Sequence, residues 1–208
     1  MLDNIEVFTQ SSIKFDRELK IYFDPYKIKN SYNDADIIFI THSHYDHLSI
    51  EDINKVKKSS TIVVAPSSSS SLLEDIGLEL LFVEPNKSYQ VGCISFETVR
   101  AYNNNKEFHP ITNNWVGYVI NLNNTRYYIA GDTDMTQDNI RVKCDVAFIP
   151  IGGKFTMDAY EAAELTNKIK PKVVVPIHYG SIIGSKDDEL KFVEQINKDI
   201  ECRILLKI

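Results

Sequence analysis

Cysteine is scarce and scattered in this chain. Cys93, Cys144 and Cys202 lie far apart, and no Cys-x-x-Cys pair occurs. That spacing excludes a disulfide framework and a cysteine-based zinc ribbon, and it fits reduced thiols filling a core. Long apolar runs are missing as well. None approaches the ~20 residues that a membrane-spanning helix needs. The N-terminus, Met1-Leu2-Asp3-Asn4-Ile5-Glu6, lacks the basic stretch and apolar segment of a secretory signal. A cytoplasmic location and no membrane partner are therefore expected. Positive charge is also in deficit, 23 Lys and Arg against 29 Asp and Glu, for a net charge of −6. Nucleic acid is not an expected partner, because phosphate backbones select basic faces. What remains is ordinary. A hydrophobic fraction of 43% and a charged fraction of 25% over 208 residues suit one domain, 1–208, with a sizeable core.

Histidine is equally scarce, and its distribution is the informative feature. Three of the five histidines fall within Thr41-His42-Ser43-His44-Tyr45-Asp46-His47. The segment follows an apolar run, Ile37 to Ile40, that reads as a buried strand. A lone His at a strand end is usually a polar turn residue. Three imidazoles and a carboxylate in one small volume are different, since they are costly to desolvate and repel one another once charged. A divalent metal resolves both problems, and His42, His44, Asp46 and His47 are the ligand types it takes.

Strand-like segments dominate the remainder. Residues 5–8, 12–15 and 19–23 alternate or carry β-branched and aromatic side chains. Further strands are predicted at 61–65, 80–83, 88–91, 94–99, 116–122, 126–130, 146–151, 173–177 and 203–207. Asn123-Asn124 reads as a hairpin turn. Helices are predicted at 50–57, capped by Ser49, at 72–76 after the serine run 67–71, at 158–170 and at 187–198. No linker or domain boundary is visible. Two sheets face to face, with helices on both outer faces, is the predicted α/β (α+β) architecture, a four-layer αββα sandwich.

A two-metal site needs more than four ligands. His178 ends the strand 173–177. Asp132 follows the strand 126–130 behind Gly131, which permits a sharp turn. His109 sits in a loop beside Pro110. Each alone is weak, since a Gly-Asp after a strand is more often a turn. Together they gain weight, because loops after strand ends are where such sheets place their chemistry. Asp24, before Pro25, reads equally as a turn initiator or as a carboxylate that orients a ligand histidine. Trp115 and Phe108 flank the His109 loop, as pocket lining or as buried aromatics. Lys154 and Thr156 follow the strand 146–151, as contacts to an anionic substrate. A helix cap at Thr156 or Asp158 is the competing reading.

These segments resemble the metallo-β-lactamase fold superfamily. Residues 41–47 match its His-x-His-x-Asp-His signature, Gly131-Asp132-Thr133-Asp134 its bridging-Asp motif, and Pro176-Ile177-His178-Tyr179-Gly180 its last-His motif. Tyr102-Asn103…His109-Pro110 and Gly152-Gly153-Lys154-Phe155-Thr156-Met157 are similar to segments of small metal-dependent hydrolases related to L-ascorbate-6-phosphate lactonase. The resemblance implies one metal on His42, His44 and His109, a second on Asp46, His47 and His178, and Asp132 bridging them. It also implies that no cysteine serves as a ligand, so antibiotic cleavage is not the expected role.

The expected activity is hydrolysis of a small ester, lactone or phosphoester by a metal-activated water, with Asp46 and Asp132 as catalytic carboxylates. Zn(II) suits an all His/Asp set first, with Mn(II) or Fe(II) the alternatives. If all five histidines bind metal, no free imidazole is left to protonate the leaving group. The competing readings are a phosphodiesterase acting on nucleic acid or phospholipid, and a non-hydrolytic metal-binding or diiron redox protein.

Overall fold

The computed structural model describes residues 1–206. Its first sheet contains β1 (Ile5–Val7), β2 (Ile13–Asp16), β3 (Lys20–Phe23), β4 (Ala35–Phe39), β5 (Lys57–Pro66) and β6 (Glu79–Val83), hydrogen-bonded in that order. The sheet is antiparallel from β1 to β3 and parallel from β3 to β6. The second sheet contains β7 (Ser88–Val91), β8 (Ile94–Arg100), β9 (Val116–Leu122), β10 (Thr125–Ile129), β11 (Val146–Pro150), β12 (Val173–Ile177) and β13 (Glu201–Cys202). It is antiparallel from β7 to β10 and parallel beyond.

Side-chain alternation along the strands divides the core in two. Phe15, Phe23 and Phe39 turn toward the second sheet and meet Tyr127, Tyr118 and Phe96 there. Tyr22, Ile38, Ile40 and Val63 turn the other way, into a cluster with Ile53 and Val56 of α1 (Ile50–Val56) and Leu73 of α2 (Ser70–Leu73). On the far side, α3 (Ala159–Ile169) buries Ala162, Ala163, Leu165 and Ile169 against the second sheet, and α4 (Lys186–Gln195) contributes Phe192. The layers are helix, sheet, sheet and helix, as the sequence implied. Central strands buried on both faces explain the unbroken apolar runs of β11 and β12.

Local signals hold where they are short-range. Ser49 caps α1 by accepting from Asp52 N, and Asp158 caps α3 by accepting from Tyr160 N and Glu161 N. Asn123 and Asn124 both have positive φ, 51° and 60°, as a two-residue hairpin requires. Several boundaries differ from the sequence reading, among them β5, which runs from Lys57 and not from residue 61, and three trace to identifiable contacts. The serine run is itself helical, a 3-10 turn at Ser67–Ser69 leading into α2, because the chain turns directly after Pro66 pairs with Val83. α4 stops at Gln195, where Asn197 N is taken by Asn167 Oδ1 of α3. Among the described residues the last strand lies at Glu201–Cys202, ahead of the predicted 203–207, and residues 203–206 carry none. Glu201 N already bonds Lys172 O at the start of β12. Lys207 lies outside the described residues. Among the described residues, no helix is long and apolar enough to cross a membrane.

Candidate metal centre

Loops leaving the carboxyl ends of β1, β3, β4, β8, β10 and β12 meet at one rim of the sandwich. β4 ends as Ile40 N bonds Val64 O, and Tyr118 Oη donates to Ile40 O at 2.6 Å. The chain then curls, with His47 N and Leu48 N both bonding His44 O. The curl brings His42, His44, Asp46 and His47 together.

The residues singled out in the sequence converge. One set of ligand-type atoms comes from His42, His44 and His109, and another from Asp46, His47 and His178. Within each set the atoms lie within 4.8 Å of one another. Asp132 lies between the sets. Its Oδ2 is 3.4 Å from His109 Nε2 and 3.1 Å from His178 Nε2, and its Oδ1 is 3.4 Å from His47 Nε2. His47 Nε2 and His178 Nε2 stand 3.3 Å apart, and Asp46 Oδ2 is 3.6 and 3.5 Å from them. Bonds of 2.0–2.1 Å in a tetrahedron give ligand–ligand edges of about 3.3 Å, so the spacing fits a metal of zinc's size. His109 Nε2 and Asp132 Oδ1 are buried and have no hydrogen-bond partner. Lone pairs left in this state suit a cation.

Three imidazoles are fixed from behind, which leaves their Nε2 lone pairs facing the cluster. His47 Nδ1 donates to Asp24 Oδ2 at 2.7 Å. His42 Nδ1 is 2.9 Å from Thr41 Oγ1, whose hydroxyl proton goes to Asp24 Oδ2 at 2.7 Å. His109 Nδ1 donates to Asn103 Oδ1 at 3.0 Å. His44 differs, since its Nδ1 is the atom 3.1 Å from His42 Nε2. Asp24 is thus the orienting carboxylate, one of its two readings. It also accepts from Thr41 N and is fully buried.

The backbone is held in unusual conformations here. Gln10, Asp24 and His178 have positive φ, 50°, 43° and 57°, although none is glycine. Such residues are disfavoured by about 1–3 kcal/mol each and persist where the surroundings fix them. His178 N bonds Gln10 O, and a Cβ at Gly152 would fall 2.3 Å from His178 O. Gly152 therefore admits the backbone turn that carries His178 inward. Gly131 does the same for Asp132 at φ +66°.

Charge is strongly coupled within this buried cluster. Burial lowers His42 well below the ordinary histidine value, aided by His47, and lowers His44 as well. Burial opposes a charge on His47 and His178 too. The carboxylates outweigh it: Asp132 and Asp24 hold His47 well above its ordinary value, and Asp132 and Asp46 raise His178 to about 9. Burial would raise Asp132 and Asp46, but the imidazoles hold Asp132 well below the carboxylate range and Asp46 at about 2. In Asp24 burial wins, and its value rises.

Further side chains support the cluster, some of them with no role readable in the sequence. Gln10 Nε2 donates to Asp46 Oδ2. Asp134, the second carboxylate of Gly131-Asp132-Thr133-Asp134, accepts from Asn103 Nδ2, Asn104 N and Lys106 Nζ, and so secures the loop that carries His109. Trp115 is buried, with ring centroids 4.8–5.4 Å from His42, His44 and His109. Phe108, by contrast, is exposed and lines the cavity over the cluster. Lys154 lies on the rings of Phe108 and Phe155. Thr156 is buried and donates to Met157 O, leaving the cap to Asp158.

A sheet-on-sheet sandwich between helices, with His and Asp gathered at the strand ends, defines the metallo-β-lactamase class of fold. The chain belongs to the family described as the β-lactamase superfamily domain, whose model matches residues 4–178. It is similar to a UPF0173 metal-dependent hydrolase of Thermoplasma acidophilum, 31% identical over 80% of this chain and 75% of that one. A solved structure from Parabacteroides distasonis, described as a metal-dependent hydrolase, is 30% identical with TM-score 0.84, over 98% of this chain and 93% of that one. CmlA of Streptomyces venezuelae, a diiron β-hydroxylase, shares the fold alone, at 14% identity and TM-score 0.68 over 93% of this chain and 47% of its own. The chain is a metal-dependent hydrolase of this superfamily, with His and Asp groups as its candidate metal ligands.

Proposed function

We propose that the 208 residues act as one cytoplasmic hydrolase domain with two divalent ions, zinc first, cleaving a small ester, lactone or phosphoester. His42, His44 and His109 would hold one ion, Asp46, His47 and His178 the other, and Asp132 both. The observation that carries this reading is the pair of three-donor sets meeting at Asp132. Ions held there supply Lewis acidity and bring a bound water's pKa toward neutrality.

The chain's own groups do the rest. Asp46, steadied by the Gln10 amide, orients the attacking water and accepts its proton. Asp132, buried between the sets, keeps both halves in register. With five histidines engaged, the leaving group takes its proton from Asp46 or from Tyr45 at the cavity wall.

The test is metal analysis of the purified protein, followed by a panel of lactones, phosphomonoesters and phosphodiesters. About two zinc ions per chain with lactone or ester turnover supports the reading. Preferred phosphodiester cleavage, or iron with oxygen-dependent turnover, replaces it.

A further inference from the structure

The cavity above the cluster has a volume of about 220 Å³. Its floor is made by members of the cluster. Its wall is Tyr45, Phe108, Phe155 and Ile182. Tyr45, Phe108 and Ile182 are 65%, 40% and 37% exposed, a clustering of bare apolar surface that marks a binding site. The wall is braced. The Phe108 and Phe155 rings meet edge to face, 4.7 Å between centroids at 85°, with Lys154 Nζ 5.9 and 5.2 Å from them. Tyr26 meets Tyr45 in the same manner at 6.0 Å.

Several polar atoms along this wall are already engaged. Phe155 O accepts from Asn103 Nδ2, Thr156 O accepts from Lys106 Nζ, and Ile182 N donates to Gln10 Oε1. Apart from the floor, the side-chain polar groups at this wall that make no hydrogen bond or ion pair among the described residues are the Tyr45 hydroxyl and the Lys154 ammonium over the Phe108 and Phe155 rings. Building on the hydrolase reading above, we propose that the uncleaved part of the substrate is a hydrocarbon group the size of a phenyl ring, seated against these four side chains. A dry cavity of about 150 Å³ accepts benzene, so this one has room for a ring and the ester or lactone carbonyl beside it. Polyhydroxylated sugar lactones fit poorly. Each hydroxyl buried without a partner lowers affinity by roughly a factor of 5 to 150.

Zinc-loaded protein is assayed with dihydrocoumarin, an aromatic lactone, and with D-glucono-1,5-lactone, a polyhydroxylated one. The kcat/KM for dihydrocoumarin is expected to exceed the other by about 100-fold. Phe108→Ser and Ile182→Ser, both at exposed positions, are expected to lower that ratio about fivefold or more. Calorimetric binding of 3-phenylpropan-1-ol, which is not hydrolysed, is expected to weaken by a similar factor in both variants. Preference for the gluconolactone, or indifference to both substitutions, overturns the proposal. Neither lactone turning over while the alcohol binds and is lost in both variants keeps the apolar seat and rejects lactone hydrolysis. Turnover of both lactones without dependence on the wall does the reverse.

Discussion

Gln10 Nε2 lies 3.3 Å from Asp46 Oδ2 and 3.3 Å from His178 Nε2. A neutral amide is thereby inserted among groups that would otherwise only repel or chelate. It can donate to Asp46, and it also anchors the wall through Ile182 N. Gln10→Met keeps the volume and removes the donor. The expected result is a fall in kcat of about tenfold, the worth of one hydrogen bond to a charged group, with metal content unchanged. Steady-state kinetics beside metal analysis check this. Unchanged kcat would show that Asp46 needs no such support.

Asp24 serves His47 and, through Thr41, His42. Its loss should therefore be felt at both ions. Asp24→Asn keeps the shape but replaces one oxygen with an amide that cannot accept from His47 Nδ1. Metal affinity is expected to fall about 10- to 100-fold, measured by competition with a chromogenic chelator. A variant that binds as tightly as the parent rules out the orienting role.

The legibility of this site depends on how its residues are distributed. Residues 41–47 announce themselves because four metal-ligand residues share one turn. Asp132 and His178 follow because each ends a strand, and His109 because few histidines remain. Asp24 could be read two ways, and only its 2.7 Å bond to His47 decides between them. Gln10 is invisible in the sequence, and Asn103 and Asp134 stand inside matched motifs that assign them no role. Each is a common residue in a loop; Gln10 and Asp134 find their partners in loops far away in the chain, and Asn103 reaches His109 only because its own loop folds back. The sandwich was readable for a related reason. Alternation and apolar runs are local properties, whereas the end of α4 depends on Asn167 of α3.

Asp134 bears on one half of the cluster. It gathers Asn103, Asn104 and Lys106 beneath His109 and touches none of the donors of the second set. Asp134→Ala loosens that loop, leaving Asn103 Nδ2 and Lys106 Nζ held only by Phe155 O and Thr156 O, and weakens the hold of Asn103 on His109. Metal analysis is expected to show about one ion per chain where the parent holds two, with the ion on Asp46, His47 and His178 retained. Equal loss of both ions, or of neither, would contradict the division into two sets.

Metal removal tests the cluster as a whole. His42, His47, His109, Asp132 and His178 are almost fully buried, and the carboxylates and imidazoles compete for charge once no ion joins them. Ions that bind only the folded chain stabilise it by RT ln(1 + [M]/Kd), about 4 kcal/mol at a thousandfold excess over Kd. For a chain of this size each kcal/mol moves Tm by about 2–4 °C. Chelation is therefore expected to lower Tm by about 8–16 °C, and readdition of zinc to restore it. Asp132→Ala supplies the control. It removes the group common to both sets, so its Tm should respond to chelator by less than half as much. A parent protein whose melting ignores the chelator would mean that the seven side chains of the cluster, His44 and Asp46 included, hold no ion, however well their spacing suits one.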